Sequence, residues 1–190
     1  MINPKYFATF PLITSKRLTF RAFDLKIDAP AIFDLRTNKE VMRFMDNYKH
    51  TSIKDCENFI QKNLAIYAAK KGIFWAIDFK GICIGDFAFW NIDHQHKRGE
   101  IGYSLLPEYW GKGLMTETLQ TILNFGFKKL NLHSIEANIN PKNEKSRRLL
   151  VKLGFKKEAY FKENYFFDGK FIDSEIYSIL ESDFIQTQNK

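Results

Sequence analysis

Apolar and polar positions alternate along residues 17–23, with Leu18, Phe20 and Ala22 on one side, which predicts a half-buried strand. Asp28 then opens a short helix through Pro30, Ile32, Phe33 and Leu35, because proline is tolerated in a first turn. Ser52-Ile53-Lys54-Asp55 reads as a helix start with a carboxylate at the N3 position, and Cys56, Phe59, Ile60, Leu64, Tyr67 and Ala68 follow at helical spacing. Residues 74–79 and 82–90 are strand-like around a tight Lys80-Gly81 turn, 91–98 is a polar loop, and 100–106 is the next strand. Residues 116–130 place Leu119, Ile122, Leu123, Phe127 and Leu130 on one helical stripe. A strand over 133–139 precedes a helix expected to begin at Asn140-Pro141, bury Leu149, Leu150 and Leu153, and end on a left-handed Gly154. Two last strands, 159–167 and 171–180, flank Asp168-Gly169, a strong hairpin signal, and the polar residues from Gln186 to Lys190 are expected to fray.

The resulting order, β-α-α-β-β-β-α-β-α-β-β, predicts an α/β (α+β) architecture around a mixed, mostly antiparallel seven-stranded sheet, with residues 1–190 as a single domain. Composition agrees: a 190-residue chain that is 45% hydrophobic, with 19 Phe, buries a core without a metal or disulfide staple. The two cysteines, Cys56 and Cys83, match no ligand spacing and read as buried thiols in a reducing cytoplasm. Charge interrupts every apolar run well short of the ~20 residues that span a bilayer, and no leader pattern opens the chain, so a cytoplasmic protein with no membrane partner is expected. The net charge of +7 suits an anionic ligand or a client near nucleic acid, but it equally describes a solvated surface.

The chemistry concentrates between a strand and a helix, where Gly111 and Gly113 bracket Lys112. Glycines there permit unusual dihedrals and close approach of a ligand to the main chain. The N–H groups of Lys112, Gly113, Leu114, Met115 and Thr116 would then face outward at a helix N-terminus, suited to a pyrophosphate. The plain alternative is a turn that uses glycine for geometry alone. The third glycine of a dinucleotide fingerprint and the Gly-Lys-Ser/Thr of a Walker loop are both missing, which removes those two cofactor classes.

Trp110-Gly111-Lys112-Gly113-Leu114-Met115 resembles the pyrophosphate motif of the GNAT superfamily of N-acetyltransferases, with Gly113 matching and Trp110 and Met115 departing from the general pattern. Trp-Gly-Lys-Gly followed by Thr116-Glu117 is similar to the branch containing the ribosomal-protein alanine/serine N-terminal acetyltransferases. That branch also resembles the chain at residues 13–21, at Ile101-Gly102-Tyr103, from Asn143 to Ser146, at Lys152-Leu153-Gly154-Phe155 and through residues 168–173. The resemblance spans about residues 12–181 and rests on the order and spacing of these motifs together.

It implies a GNAT-like sheet with helices on both faces and a splayed central strand pair, acetyl-CoA as cosubstrate, and transfer of acetyl to a primary amine, foremost a protein N-terminal α-amino group. It also implies that Leu105 and Leu106 meet pantetheine or the oxyanion through main-chain groups, that the pyrophosphate lies on residues 110–116, and that Asn143, otherwise an N-cap, meets the cofactor. Glu100 stands where several members carry a base acting through water; its other reading is a carboxylate paired with Arg98 or a lysine. The superfamily's tyrosine proton donor falls on Leu150, which leaves Ser146, one turn earlier, as the candidate acid. Lys112, Lys142 and Arg147 are further phosphate candidates, and Asp93, His94 and His96 lack a fourth ligand, so no metal is expected. A small-molecule amine acceptor (a polyamine, amino sugar or drug) and a non-catalytic CoA-binding regulator stay open beside the leading function. No direct nucleic-acid contact is expected, and Phe161, Tyr165 and Phe167 serve either a homodimer face or the core of a monomer.

Overall fold

Strand residues alternate between two apolar clusters, and this alternation fixes which side of the sheet each functional group faces. A computed structural model describes residues 1–188. Its strands are β1 (Ile13–Thr14), β2 (Leu18–Arg21), β3 (Ile73–Phe79), β4 (Ile82–Asp93), β5 (Arg98–Leu105), β6 (Ser134–Ile139), β7 (Lys156–Phe167) and β8 (Lys170–Leu180). They form one sheet in the order β1-β2-β3-β4-β5-β6-β8-β7, antiparallel throughout except where β5 meets β6. The sheet therefore has eight strands where the sequence predicts seven. The additional one, β1, is two residues long, too short for an alternating pattern to register.

The helices are α1 (Lys5–Ala8), α2 (Leu25–Thr37), α3 (Lys39–Met42), α4 (Ile53–Ala68), α5 (Leu114–Lys128), α6 (Glu144–Lys152) and α7 (Glu181–Gln188). On one face Phe20, Trp75, Ile77, Phe87 and Phe89 pack with Leu119, Ile122 and Leu123 of α5 and Leu150 of α6. On the other, Ala76 and Cys83 pack with Ile32 and Leu35 of α2 and Cys56 and Ile60 of α4. Burial raises the Cys56 thiol to about 11 and the Cys83 thiol to about 12, so both are unreactive packing groups at neutral pH.

Local chemistry explains most boundaries. Ser52 caps α4 and Asp55 returns the bond to the Ser52 N–H, a complete capping box. Lys80 and Gly81 both take positive φ, as do Asp168 and Gly169, the requirement of tight hairpin turns. Gly154, at φ 92°, ends α6 in the left-handed conformation.

Two helix starts differ from the sequence reading. Asp24, not Asp28, caps α2, accepting from the N–H groups of Lys26 and Ile27. Asp28 is instead fully buried and takes a two-pronged bond from Arg21 at 2.7 and 2.9 Å, so Pro30 lies inside the helix rather than in its first turn. α6 begins after Asn143, in the N-cap role the sequence also allowed it, rather than at Asn140-Pro141, because the Asn140 side chain accepts from the Lys142 N–H and closes a turn. β4 also runs on to Asp93 through residues that read as loop. The chain is helical to Gln188 where a frayed tail is predicted, and residues 189–190 lie outside the described residues.

Gly85 lies opposite Leu105, and a Cβ built on it would stand 2.2 Å from the Ser104 carbonyl oxygen. No side-chain rotation relieves a backbone contact. Gly85→Ala is expected to lower unfolding stability by about 2 kcal/mol in urea titration, by forcing β4 and β5 apart.

Candidate active site

β5 and β6 pair over only three positions, Arg98 with Ser134, Gly99 with Ile135 and Glu100 with Glu136, yet β5 continues to Leu105 and β6 to Ile139. The two strands part beyond Glu100 and leave main-chain groups facing the gap. The Leu106 N–H is not one of them, since it donates to the Ile84 carbonyl at 2.9 Å. Alternation along an antiparallel ladder then turns the Leu105 amide the other way, toward the gap. The Leu105 carbonyl accepts from the Trp110 indole Nε1 at 2.8 Å. The splay thus offers the Leu105 N–H as a donor, while Trp110 braces the strand end.

A short 3-10 turn, Pro107–Tyr109, leads into the glycine segment. Gly111 and Gly113 both sit in the left-handed region, at φ 72° and 74°, where a β-carbon would be strained. Gly113 caps α5 and has no side chain to offer its first-turn N–H groups, to which the helix dipole adds. A Cβ built on Gly111 would meet nothing within 4 Å among the described residues outside its chain neighbours. An anionic diphosphate fits this open, donor-rich terminus. Leu114 points into the core and offers only its backbone, whereas Met115 and Thr116 are half-buried. The Lys112 ammonium sits 5.5 Å from the Tyr109 ring, and that of Lys145 lies 4.2 Å from the Trp110 ring.

Ser146, in the first turn of α6, meets the Tyr103 hydroxyl at 2.6 Å. Tyr103 stands on β5 with its ring stacked on Phe87, its cross-strand partner. Burial raises its phenol to about 12, against the opposing effect of the Ser146 bond, so it is a protonated hydroxyl at neutral pH. Sequence reasoning missed this residue; with Leu150 in the usual tyrosine position, the one available signal was a tyrosine on the strand facing the serine. Asn143 spends its side-chain oxygen on the Ser146 N–H at 3.1 Å, as an N-cap does. Arg147 is tied to Glu175, Glu144 and the Pro141 carbonyl, which makes it a brace between α6 and β8 rather than a phosphate contact.

Glu100 lies on the opposite face from Tyr103, since odd and even positions of β5 alternate. Burial raises its carboxyl pKa, opposed by a 3.0 Å bond from the Asn91 amide; Glu136 adds to the rise and Arg98 opposes it. Arg98 is bonded to Glu136, not to Glu100. Ser104, Asp86 and Arg36 occupy this second face nearer the gap: Ser104 bonds Asp86, and Asp86 takes a 2.7 Å ion pair from the buried Arg36. His94 bonds the Lys70 carbonyl and the Asp93 carboxylate caps the His96 N–H, so this loop is a structural turn.

Residues 17–156 match the acetyltransferase (GNAT) domain family. The uncharacterised N-acetyltransferase YoaA of Bacillus subtilis is 35% identical over 90% of this chain and 98% of its own. Spermidine N(1)-acetyltransferase of Vibrio cholerae is 26% identical over 90% of this chain and 97% of its own. Among solved structures, a GNAT-family acetyltransferase of Bacillus anthracis superposes with a TM-score of 0.79 at 30% identity, covering 90% of this chain and 99% of that one. The ribosomal alpha-N-protein acetyltransferase RimL, solved with coenzyme A, gives 0.81 at 21% identity over 90% and 98%, a likeness of fold alone.

The raised Glu100 pKa has a consequence for stability. Ionising Glu100 costs more in the folded than in the unfolded chain, so wild type loses stability as pH rises through the folded value and nothing below the unfolded one. Glu100→Gln, which stays neutral, is expected to gain on wild type as pH rises above the ordinary glutamate value of about 4.3 and then to hold that gain, read from thermal midpoints on either side of the rise.

Proposed function

The chain belongs to the GNAT acetyltransferase family and is an acetyl-CoA-dependent N-acetyltransferase; on that premise we propose that its acceptor is a protein N-terminal α-amino group of the ribosomal-protein type, acetylated in the cytoplasm by residues 1–190 acting as one domain. One observation carries this reading: the carboxylates on the face that would receive the acceptor are already engaged. Asp86 is neutralised by Arg36, and Glu100 is half-buried and bonded to Asn91. A polyamine brings several ammonium groups and needs unpaired carboxylates to replace their hydration. A single amine at the end of a peptide needs only one site for its proton. The likeness to a spermidine acetyltransferase keeps the polyamine reading as the alternative.

Acetyl-CoA supplies the activated acetyl thioester. In our reading the donors of residues 111–116 hold its diphosphate, and the Leu105 N–H stabilises negative charge on the carbonyl oxygen, commonly a large term in acyl transfer. Glu100 accepts the amine's proton through water from one face of the sheet. Ser146, on the other face, passes the Tyr103 proton to the departing sulfur, and the proton that Glu100 took up returns to Tyr103 through solvent as product leaves. Base and acid on opposite faces keep the two proton transfers apart. Neither has to supply a large factor, because an α-amine titrates at about 7.7–8.0 and a thiol at about 8.5.

Peptides with free Ala or Ser N-termini are expected to be acetylated with kcat/KM at least about tenfold above spermidine, followed by thiol release and product mass; the reverse order would replace the peptide reading with the polyamine one. Glu100→Gln is expected to lower kcat/KM about tenfold at pH 7, a loss that shrinks above the amine's own pKa. Ser146→Ala and Tyr103→Phe are each expected to reduce kcat about tenfold with KM little changed, and the double variant to lose no more than either alone, as a two-hydroxyl relay requires.

A further inference from the structure

Glu117 is out of place for an anion site. It lies in the first turn of α5, the end proposed to hold a diphosphate, where a second negative charge repels the ligand. Its surroundings resolve the conflict. One carboxylate oxygen accepts from the Ser15 hydroxyl and the Arg17 N–H, both at 2.7 Å, and the other accepts from Arg17 Nε at 2.6 Å. Burial pushes this carboxyl up, but the bonds from Ser15 and Arg17 outweigh it and hold the group ionised and fully engaged.

The same contacts fix the Arg17 guanidinium. With Nε on Glu117, its Nη1 donates to the Lys112 carbonyl at 3.0 Å, the peptide between the two left-handed glycines. Its Nη2 makes no hydrogen bond among the described residues and lies against Gly113, 3.6 Å from where a Cβ would stand. Arg17 is 40% exposed, so the free N–H groups are accessible to a ligand lying on the turn. A carbonyl in a phosphate-binding turn is itself a liability, and Nη1 turns that of Lys112 to a cation.

We propose that Arg17 is a binding residue for the CoA diphosphate, with Nη1 setting the glycine turn and Nη2 donating to the anion, and that Glu117 is its positioning residue. This rests on reading residues 111–116 as the diphosphate site. It gives a segment about a hundred residues from the turn in sequence a part in it: Ser15 and Arg17 engage Glu117, and Arg17 adds a side-chain donor to main-chain ones.

Two donors separate this role from mere support of the fold: acetyl-CoA, and S-acetylpantetheine, which lacks the diphosphate. Arg17→Ala is expected to raise KM for acetyl-CoA about tenfold with kcat nearly unchanged, and to leave kcat/KM for S-acetylpantetheine within about twofold. Arg17→Lys is expected to recover only part of the loss, since a point charge cannot serve Glu117, Lys112 and the anion together, and Glu117→Gln is expected to shift KM for acetyl-CoA in the same direction. Equal losses with both donors, or unchanged KM for acetyl-CoA in Arg17→Ala, would overturn the proposal. A wild-type enzyme that uses both donors with the same KM would overturn the reading of the glycine turn itself, and the role of Arg17 with it.

Discussion

The parting of β5 from β6 is the constraint on which the site depends. Parallel strands normally continue their ladder as far as both run, and unpaired buried peptide groups carry a cost of about 1–3 kcal/mol each. Here the ladder stops at Glu100 and Glu136 while both strands go on. The chain offsets part of that cost within itself, because the Trp110 indole takes the Leu105 carbonyl. What is left open toward the gap is the donor an acyl-transfer site can use. Gly85 belongs to the same arrangement, because only a residue without a side chain lets β4 lie this close to Ser104 and Leu105.

The sheet also sorts the chemistry by side. Phe87 and Tyr103 pair across β4 and β5 on the α5–α6 face, where Ser146 meets the tyrosine hydroxyl. Asp86 and Ser104, one position away on each strand, turn to the α2–α4 face and meet Arg36. A one-residue slip of β5 would exchange these sets and carry Tyr103 to the face away from Ser146. The register is held by the aromatic core of Trp75, Phe87 and Phe89, so core packing and proton placement are one constraint.

Charge at the glycine turn follows similar logic. A helix N-terminus attracts an anion through partial charges that fall off within a turn. Lysine ammoniums nearby are diverted to aromatic faces, those of Lys112 to Tyr109 and Lys145 to Trp110. The guanidinium of Arg17 is the fixed cation at the turn, brought there from the start of β2.

Local chemistry made much of this legible in the sequence. Ser52 and Asp55, Lys80-Gly81, Asp168-Gly169 and Gly154 act through their own neighbours, so their caps and turns follow from adjacent residues alone. The glycine turn was legible for the same reason, and with the motifs around it so was the family. The start of α2 was not, because Asp24 and Asp28 are equally good caps until Arg21, at the end of β2, turns its guanidinium onto Asp28 and leaves Asp24 to the helix N–H groups. Tyr103 and Arg17 were invisible as site residues because their roles depend on partners 43 and 100 positions away. The sequence by itself determined the longer strands and helices, their turns and the glycine-flanked start of α5, all governed by short-range dihedral and capping preferences. Only the tertiary structure decided which strand pair parts, which face each carboxylate and hydroxyl occupies, and which distant arginine reaches the turn, because those depend on register and on contacts that exist once the sheet has closed.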